Sequence, residues 1–234
     1  MAPKTPAPSA PFEGFADPSM GFFKALDAHQ DRAWFLANKA RYEDEWQAPM
    51  RGLLAAVQRR VAPKYKGFVF REPKLFRIYR DVRFHDEKQP YKTQVSGLLG
   101  FPNPREYAEA PAVLYLQIGL ESSFAAAGLW MMDAVHLAAY REAVLDKKRG
   151  AALLKIIEGL TAKGYSFEGG VPELKTAPRG VAKDHPRIGL LRKRGLATTF
   201  PAFAPSLIGS PAFADWVVTH SLEVVPFVKW LLTM

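Results

Sequence analysis

The sequence predicts a single α+β domain in which a mostly antiparallel sheet packs against N-terminal, central and C-terminal helices. The 234 residues are 48% hydrophobic and 24% charged, a composition typical of a globular domain with a sizeable core. Apolar residues recur at helical spacing in the N-terminal third, whereas the middle of the chain alternates and is rich in β-formers. The predicted order of strand, strand, helix, helix, strand lacks the strict alternation of a parallel sheet.

The N-terminal part is predicted to be helical after an extended leader. Residues 1–16 are rich in Ala and Pro and have no apolar periodicity, which predicts a flexible segment outside the domain that follows, residues 17–234. A short helix is expected after Asp17, because a capping residue and Pro18 precede an apolar face. A longer helical region begins at Asp31, and Pro49 should kink or divide it.

The middle of the chain is predicted to form the sheet. Residues 75–80 alternate in character and predict a short strand, while the polar stretch 81–103, broken by Pro and Gly, predicts a loop. Residues 113–120 predict a buried central strand, and residues 122–130 its hairpin neighbour.

The C-terminal half is predicted to alternate between helices and short strands. Gly150 is expected to separate two helices, with Lys147, Lys148 and Arg149 near the C-terminus of the first, where cations suit the helix dipole. The predicted elements are helices over residues 132–146 and 151–163, a strand over 165–167, a helix from Asp184 to about 194, a strand over 197–203 and a helix over about 211–232 that contains Pro226.

Composition excludes several classes of function. The chain has no cysteine, so disulfides, thiolate catalysis and cysteine-ligated metals are excluded. Prolines interrupt both the first twenty residues and the charge-free stretch 195–214, so neither a secretory signal nor a membrane span is predicted. We therefore expect a cytoplasmic protein without membrane contact. No nucleotide-binding glycine loop, zinc-protease motif, serine-hydrolase elbow or calcium loop occurs, and the five histidines are scattered, so no cofactor and no metal are predicted.

A first basic segment, residues 77–92, holds five cations in sixteen residues with the sequence RIYRDVRFHDEKQPYK. Arginine forks match the geometry of phosphate and carboxylate groups. The segment therefore predicts either an anion-binding pocket or an Arg–Asp network that pins a long loop, and the sequence favours the two readings equally.

A second basic segment, residues 175–187, places cations before a predicted helix. Its charged members are Lys175, Arg179, Lys183, Asp184, His185 and Arg187. A helix N-terminus attracts anions. The alternative, which the sequence favours, is that Asp184 caps the helix and uses those backbone donors.

Three motifs together carry a resemblance to a known family. They comprise Arg77, Arg80, Asp81, Arg83, Phe84, Lys88, Pro90, Tyr91 and Lys92; Gly128, Leu129 and Trp130; and Pro178, Arg179, Gly180, Lys183, Asp184, His185 and Pro186. With the pattern WFxxNKxRY at residues 34–42, they resemble DUF2461, a bacterial and fungal family of unknown function, over roughly residues 12–203. The resemblance implies a shared fold and pairs the two basic segments in one site, but it implies no activity.

The chain departs from the family pattern at two places. His85-Asp86-Glu87 stands where the family has Ser-x-Asp, so His85 is not expected to be an obligatory ligand. Ala125-Ala126-Ala127 replaces a glycine-rich run, which argues against close backbone approach to a ligand there.

The leading functional hypothesis is a pocket for an anionic small molecule. The predicted ligand-binding residues are Arg77, Arg80, Arg83, Lys88, Tyr91, Lys92, Arg179 and Lys183. Should the pocket be an active site for hydrolysis or group transfer, its acid–base candidates are Asp81, Glu87, Asp184 and His185. One alternative is a non-catalytic structural or interaction protein. The other is nonspecific binding of nucleic acid, which the net charge of +9 suggests. The oligomeric state stays open.

Overall fold

The computed structural model describes residues 12–81, 89–101, 110–168 and 171–234. These residues contain an antiparallel sheet whose five strands lie in chain order, β1-β2-β3-β4-β5. The strands are β1 (Lys74–Leu75), β2 (Gln94–Gly100), β3 (Ala112–Gly119), β4 (Phe124–Leu129) and β5 (Leu196–Thr199). The predicted α+β class is confirmed.

The helices precede the sheet, connect β4 to β5 and close the chain. They are α1 (Gly21–Ala28), α2 (Arg32–Tyr42), α3 (Ala48–Val61), α4 (Ala134–Leu145), α5 (Lys147–Thr161), α6 (Ile188–Leu191), α7 (Ala212–Glu223) and α8 (Val225–Leu232). Within the described residues, no helix has the length and apolar character needed to cross a membrane.

Aspartate caps and a proline set the boundaries of the N-terminal helices. The Asp17 carboxylate accepts hydrogen bonds from the backbone N–H groups of Gly21 and Phe22. Burial alone raises the pKa of Asp17, but these bonds bring it below its ordinary value. A π-helical turn, Glu43–Gln47, joins α2 to α3 just before Pro49. The interruption expected at Pro49 is therefore a local widening of one long helix.

The helices cover one face of the sheet. Helix α3 packs on β2, and α8 packs on β3 and β4. Val95 and Leu99 of β2 and Leu116 of β3 are buried on this face. A Cβ at Gly97 would lie 2.5 Å from Leu54 Cδ1 of α3, so the helix approaches the strand too closely for a larger residue.

Two boundary predictions in the N-terminal half are wrong. Phe12 and Phe15 are buried core residues, and the N–H of Phe15 donates to the carbonyl of Ile208, so the folded domain begins before residue 17. The segment predicted as a loop over residues 81–103 contains β2. Gly97 and Gly100 weaken the strand pattern in the sequence. Both are needed in the structure, because other backbone or side-chain atoms approach them closely.

In the C-terminal half, the helix boundaries differ from prediction. Residues 147–149 begin α5, capped by Asp146, and do not end the preceding helix. Gly150 lies inside α5, where a Cβ would be 2.3 Å from the carbonyl oxygen of Val144. The predicted C-terminal helix is two helices that meet at Val224, because Pro226 occupies the first turn of α8.

Two further elements are shorter than predicted. Residues 165–167 contribute a single bridge between Ser166 and Thr199. The helix predicted from Asp184 is the four-residue α6, which begins at Ile188 and has no side-chain cap. Asp184 is therefore not its capping residue.

Candidate functional site

One row of residues crosses the sheet on the side opposite to the helices. The strand register pairs Lys74 with Leu98, Leu98 with Tyr115, Tyr115 with Ala126, and Ala126 with Thr199. Directly paired residues point to the same side of a sheet, and each of these side chains retains solvent exposure. We call this side the open face.

The open face forms the floor of a cavity of about 850 Å³. Small residues leave the space above β4 and β5 free, notably Ala126, Gly128 and Ala197. Aromatic rings supply much of the lining and walls: Phe76, Phe101, Tyr115, Phe124, Trp130 and Phe167. This volume is within the range of about 300–1,000 Å³ typical of small-molecule sites. We call it the open-face cavity.

Three of the rings form a continuous strip that runs from the end of β1 to β4. The centroids of Phe76 and Tyr115 lie 5.9 Å apart, and those of Tyr115 and Phe124 lie 5.7 Å apart. All three rings are partly exposed. The strip therefore offers apolar and π-electron surface to a flat ligand.

The charges around the cavity are predominantly positive. The described lining residues include Arg71, Lys74 and Lys193, and Glu168 is the one acidic side chain among them. The Lys193 ammonium group is already bound, because its Nζ lies 2.9 Å from Glu173 Oε1 and 3.3 Å from the carbonyl oxygen of Phe167. Lys193 therefore holds one wall of the cavity in place.

Lys74 is the cation best placed to meet a ligand. It is exposed, and its Nζ lies 4.9 Å from the centroid of the Phe76 ring. No ion pair to Lys74 occurs among the residues that the structure describes. Its ammonium group thus lies beside the aromatic strip.

A saturated hydrogen-bond network holds the polar end of the floor. Gln117 Oε1 accepts bonds from Gln94 Nε2 at 2.8 Å and from Tyr115 Oη at 2.9 Å. Gln117 Nε2 donates to Ser122 Oγ at 2.8 Å. Burial raises the pKa of Tyr115, and a hydrogen bond with Ser96 opposes this rise. The phenol is therefore neutral at pH 7, and the network positions its ring.

The described part of the first basic segment extends the edge formed by β1 and β2. Tyr79 and Tyr91 form a β-bridge, and Arg80 Nε donates to the carbonyl oxygen of Tyr91 at 3.0 Å. Burial lowers the pKa of Lys92, and the nearby charges of Arg77 and Arg80 lower it further. Both arginines therefore act electrostatically on Lys92.

Burial alternates over residues 91–95, at the start of β2 and just before it, which locates Lys92. Tyr91, Thr93 and Val95 are buried, whereas Lys92 and Gln94 are partly exposed. Lys92 therefore lies on the side of the strand that carries the open face. The Tyr91 ring lies on the other side and stacks on Phe35, with centroids 4.5 Å apart.

Four further predicted site residues belong to this segment. Arg83, Glu87 and Lys88 lie outside the described residues. Asp81 ends the described stretch and is half-buried.

The second basic segment lies at the opposite edge of the sheet, beside β5 and helices α4–α6. Arg179, Lys183 and Asp184 are exposed. His185 Nδ1 accepts a bond from the N–H of Arg187 at 3.1 Å, and Arg187 Nη2 donates to the carbonyl oxygen of Leu145 at the end of α4. Among the described residues, no hydrogen bond or ion pair joins the two basic segments.

Sequence reasoning missed the residues of the open-face cavity. Tyr115 and Gln117 alternate with Leu114, Leu116 and Ile118, and this alternation is the signal of a strand with two different faces. A buried central strand is predicted for residues 113–120, whereas Tyr115 is partly exposed on the open face. Among the described residues, no three His, Asp or Glu side chains converge on a metal site.

A family model described as conserved hypothetical protein (DUF2461) matches residues 18–230. The chain belongs to the DUF2461 family. The match continues through α7 and most of α8, so the family domain extends beyond residue 203, where the resemblance of the motifs ends. Among curated proteins and solved structures, none matches the chain significantly.

In this DUF2461 chain, the GLW motif has a packing role and also borders the cavity. Gly128 has φ of +118°, and a Cβ there would lie 2.4 Å from the carbonyl oxygen of Leu196. Trp130 is 58% exposed and lines the cavity. The close backbone approach in this region therefore occurs at Gly128, between strands.

Proposed function

We propose that this DUF2461 protein binds an anionic small molecule with a flat apolar body in the open-face cavity. The observation that carries the proposal is the row from Lys74 to Thr199, which faces away from the helices and forms the cavity floor. Ligand sites are typically concave and mostly apolar, with a few polar groups that fix orientation.

The balance of charge supports an anion as the ligand. Arg71 and Lys74 stand at the β1 side of the cavity, and the described lining offers Glu168 as its one carboxylate. The apolar body would lie on Ala126 and Ala197 and against the aromatic strip. Because Gln117 is saturated by protein partners, the charged rim supplies the polar recognition.

The proposal is one of binding and names no reaction. The described lining offers a neutral phenol at Tyr115 and a single carboxylate at Glu168. Of the residues predicted from sequence, Arg77, Arg80 and Lys92 continue the positive edge beyond Gln94. Arg179 and Lys183, at the opposite edge, are not part of the proposed site.

Fluorescence titration with anilinonaphthalene sulfonate, a flat aromatic monoanion, tests the proposal. Ala126→Trp should fill the cavity, and Lys74→Ala should remove the rim charge. Lys155→Ala is the matched control, since Lys155 is an exposed lysine of α5 in the helical layer. Circular dichroism and thermal melting of each variant verify the fold.

We expect saturable binding at one site, loss of binding in Ala126→Trp, a several-fold weaker affinity in Lys74→Ala and no change in Lys155→Ala. Binding that survives in a folded Ala126→Trp variant would contradict the proposal. So would the absence of binding by this probe and by a panel of nucleotides and aromatic acids, a result that favours the structural or interaction protein.

A further inference from the structure

We propose, resting on the function above, that the open face also binds a single-stranded nucleic acid, whose nucleotides are each an anionic unit with a flat base. Its bases would stack on the aromatic strip of Phe76, Tyr115 and Phe124, and its phosphates would follow the positive edge of β1 and β2. Proteins that bind single strands without sequence preference combine these two features.

The positive edge is much longer than the cavity requires for one small anion. Lys74 pairs with Leu98, and Lys92 lies six positions before Leu98, just ahead of β2. At about 3.3 Å per residue, Lys74 and Lys92 lie about 20 Å apart along the edge. A single carboxylate or phosphate engages one end of such an edge, whereas a chain of phosphates engages both.

The composition of the edge also suits a polyanion. In the described residues 71–81 and 89–92, the cations Arg71, Lys74, Arg77, Arg80 and Lys92 outnumber the acids Glu72 and Asp81. Burial and the charges of Arg77 and Arg80 lower the pKa of Lys92, and Arg80 Nε donates to the carbonyl oxygen of Tyr91, the residue before Lys92. A phosphate placed among them relieves this repulsion.

The aromatic strip begins beside the edge, at Phe76. Phe76 follows β1 directly, Tyr115 lies on β3 and Phe124 lies on β4, and β2 runs between β1 and β3. The Lys74 ammonium group already rests on the Phe76 ring. Cations for phosphate recognition and rings for base stacking therefore lie side by side within the width of four strands.

The geometry favours single strands over a duplex. Bases stack on aromatic side chains only when they are unpaired from their neighbours in a helix. The small floor residues Ala126 and Ala197 leave depth for a splayed base. The backbone of a duplex could contact the edge, but its bases could not reach the strip.

Fluorescence anisotropy with labelled thymidine oligonucleotides of about two and about eight nucleotides tests this inference. Titrations at ~50 mM and ~200 mM salt give the slope of log affinity against log salt. The variants are Ala126→Trp, the double variant Arg77→Ala/Lys92→Ala and, as the matched control, Lys155→Ala. Unlabelled anilinonaphthalene sulfonate and a duplex of equal length serve as competitors.

We expect the longer oligonucleotide to bind at least tenfold more tightly than the shorter one, with a slope of about −2 for three phosphates at about −0.7 each. The double variant should lose about tenfold in affinity and flatten the slope, and Ala126→Trp should weaken binding. Anilinonaphthalene sulfonate should compete, and the duplex should compete poorly.

Each of the following results overturns the inference. Equal affinity for the two lengths, or equal competition by the duplex, shows that bases and phosphates are not bound together. Retained oligonucleotide binding in Ala126→Trp shows that the oligonucleotide binds to positive charges on the surface outside the cavity. Cavity binding of anilinonaphthalene sulfonate without any oligonucleotide binding overturns this inference alone, whereas loss of both overturns the proposed function as well.

Discussion

The Nζ atom of Lys74 lies 4.9 Å from the centroid of the Phe76 ring, at the rim of the open-face cavity. An ammonium group over a ring face is attracted by the π electrons, with an energy of about 0.5–1 kcal/mol at exposed sites. The contact holds a charge and an aromatic surface at one place on the rim. A ligand that carries an acid group beside a ring can use both.

Replacing Lys74 by Met separates the charge of this side chain from its packing. Methionine keeps an apolar stem over Phe76 but has no ammonium group. We expect Lys74→Met to melt within about 2 °C of the wild type, because exposed substitutions change stability by about 0.5 kcal/mol or less. Its affinity for anilinonaphthalene sulfonate should fall several-fold, whereas Lys74→Arg should retain it. Equal affinities of the two variants would show that the charge is irrelevant.

Gly128→Ala should strongly destabilise the fold. Gly128 has φ of +118°, and an added Cβ would lie 2.4 Å from the carbonyl oxygen of Leu196 on the next strand. We expect a loss of at least about 2 kcal/mol, or a fall of about 5 °C or more in Tm. Gly159→Ala is the control, because an added Cβ at this position in α5 meets nothing within 4 Å. It should stabilise by up to about 1 kcal/mol. Similar melting of the two variants would contradict the account of β4–β5 packing.

Gln117→Leu should destabilise the sheet by leaving buried polar groups without partners. Gln117 accepts bonds from Gln94 and Tyr115 and donates to Ser122. We expect a loss of about 1–3 kcal/mol in urea unfolding. In Gln58→Leu, where the amide makes one bond of 3.5 Å to the carbonyl oxygen of Arg71, the change should stay within about 0.5 kcal/mol. A double-mutant cycle with Tyr115→Phe should show coupling.

The contact between Glu223 and Tyr165 should make stability depend on acid pH. Burial alone raises the pKa of Glu223, but hydrogen bonds from Tyr165 Oη at 2.6 Å and Lys163 Nζ at 2.9 Å bring it below the ordinary value of 4.5. The folded state therefore binds the proton more weakly than the unfolded chain. The contribution of this group is complete above pH 4.5 and is lost as pH falls through the folded pKa.

Glu223→Gln measures this contribution. The difference in free energy of unfolding between the wild type and the variant should be constant at neutral pH and should shrink as pH falls below 4.5. Tyr165→Phe, which removes one donor to the carboxylate, should show a smaller acid dependence than the wild type. If the difference in free energy of unfolding between the wild type and Glu223→Gln grows as pH falls, the pKa of Glu223 is raised in the folded state and the prediction is wrong.

Local sequence signals were sufficient where a structural element depends on nearby residues. The β-rich run that contains Tyr115 and the hairpin after it were predicted correctly as β3 and β4. The strand β2 was missed because Gly97 weakens local strand propensity. That glycine is explained by a distant contact, the approach of Leu54 on α3, and no local pattern reports it.

The candidate site was less predictable because the strand register creates it. Lys74, Leu98, Tyr115, Ala126 and Thr199 come from five separate strands, and no motif joins them. The clusters of charged residues that are visible in the sequence lie in the two basic segments. Part of the first basic segment extends along the β1–β2 edge of the open face, whereas the second basic segment lies at the opposite edge of the sheet. This separation depends on the order of all five strands.

Methyl chemical shifts provide the most direct test of the claim that ligands bind the open face. Ala126 points into the cavity, whereas its neighbour Ala125 points towards the helices, and Leu98 and Leu99 form a second such pair. On titration with anilinonaphthalene sulfonate, the account predicts that the methyl signals of Ala126 and Leu98 shift most, while those of Ala125 and Leu99 shift little. Larger shifts at Ala125 and Leu99, or shifts concentrated in α5 and α8, would contradict it.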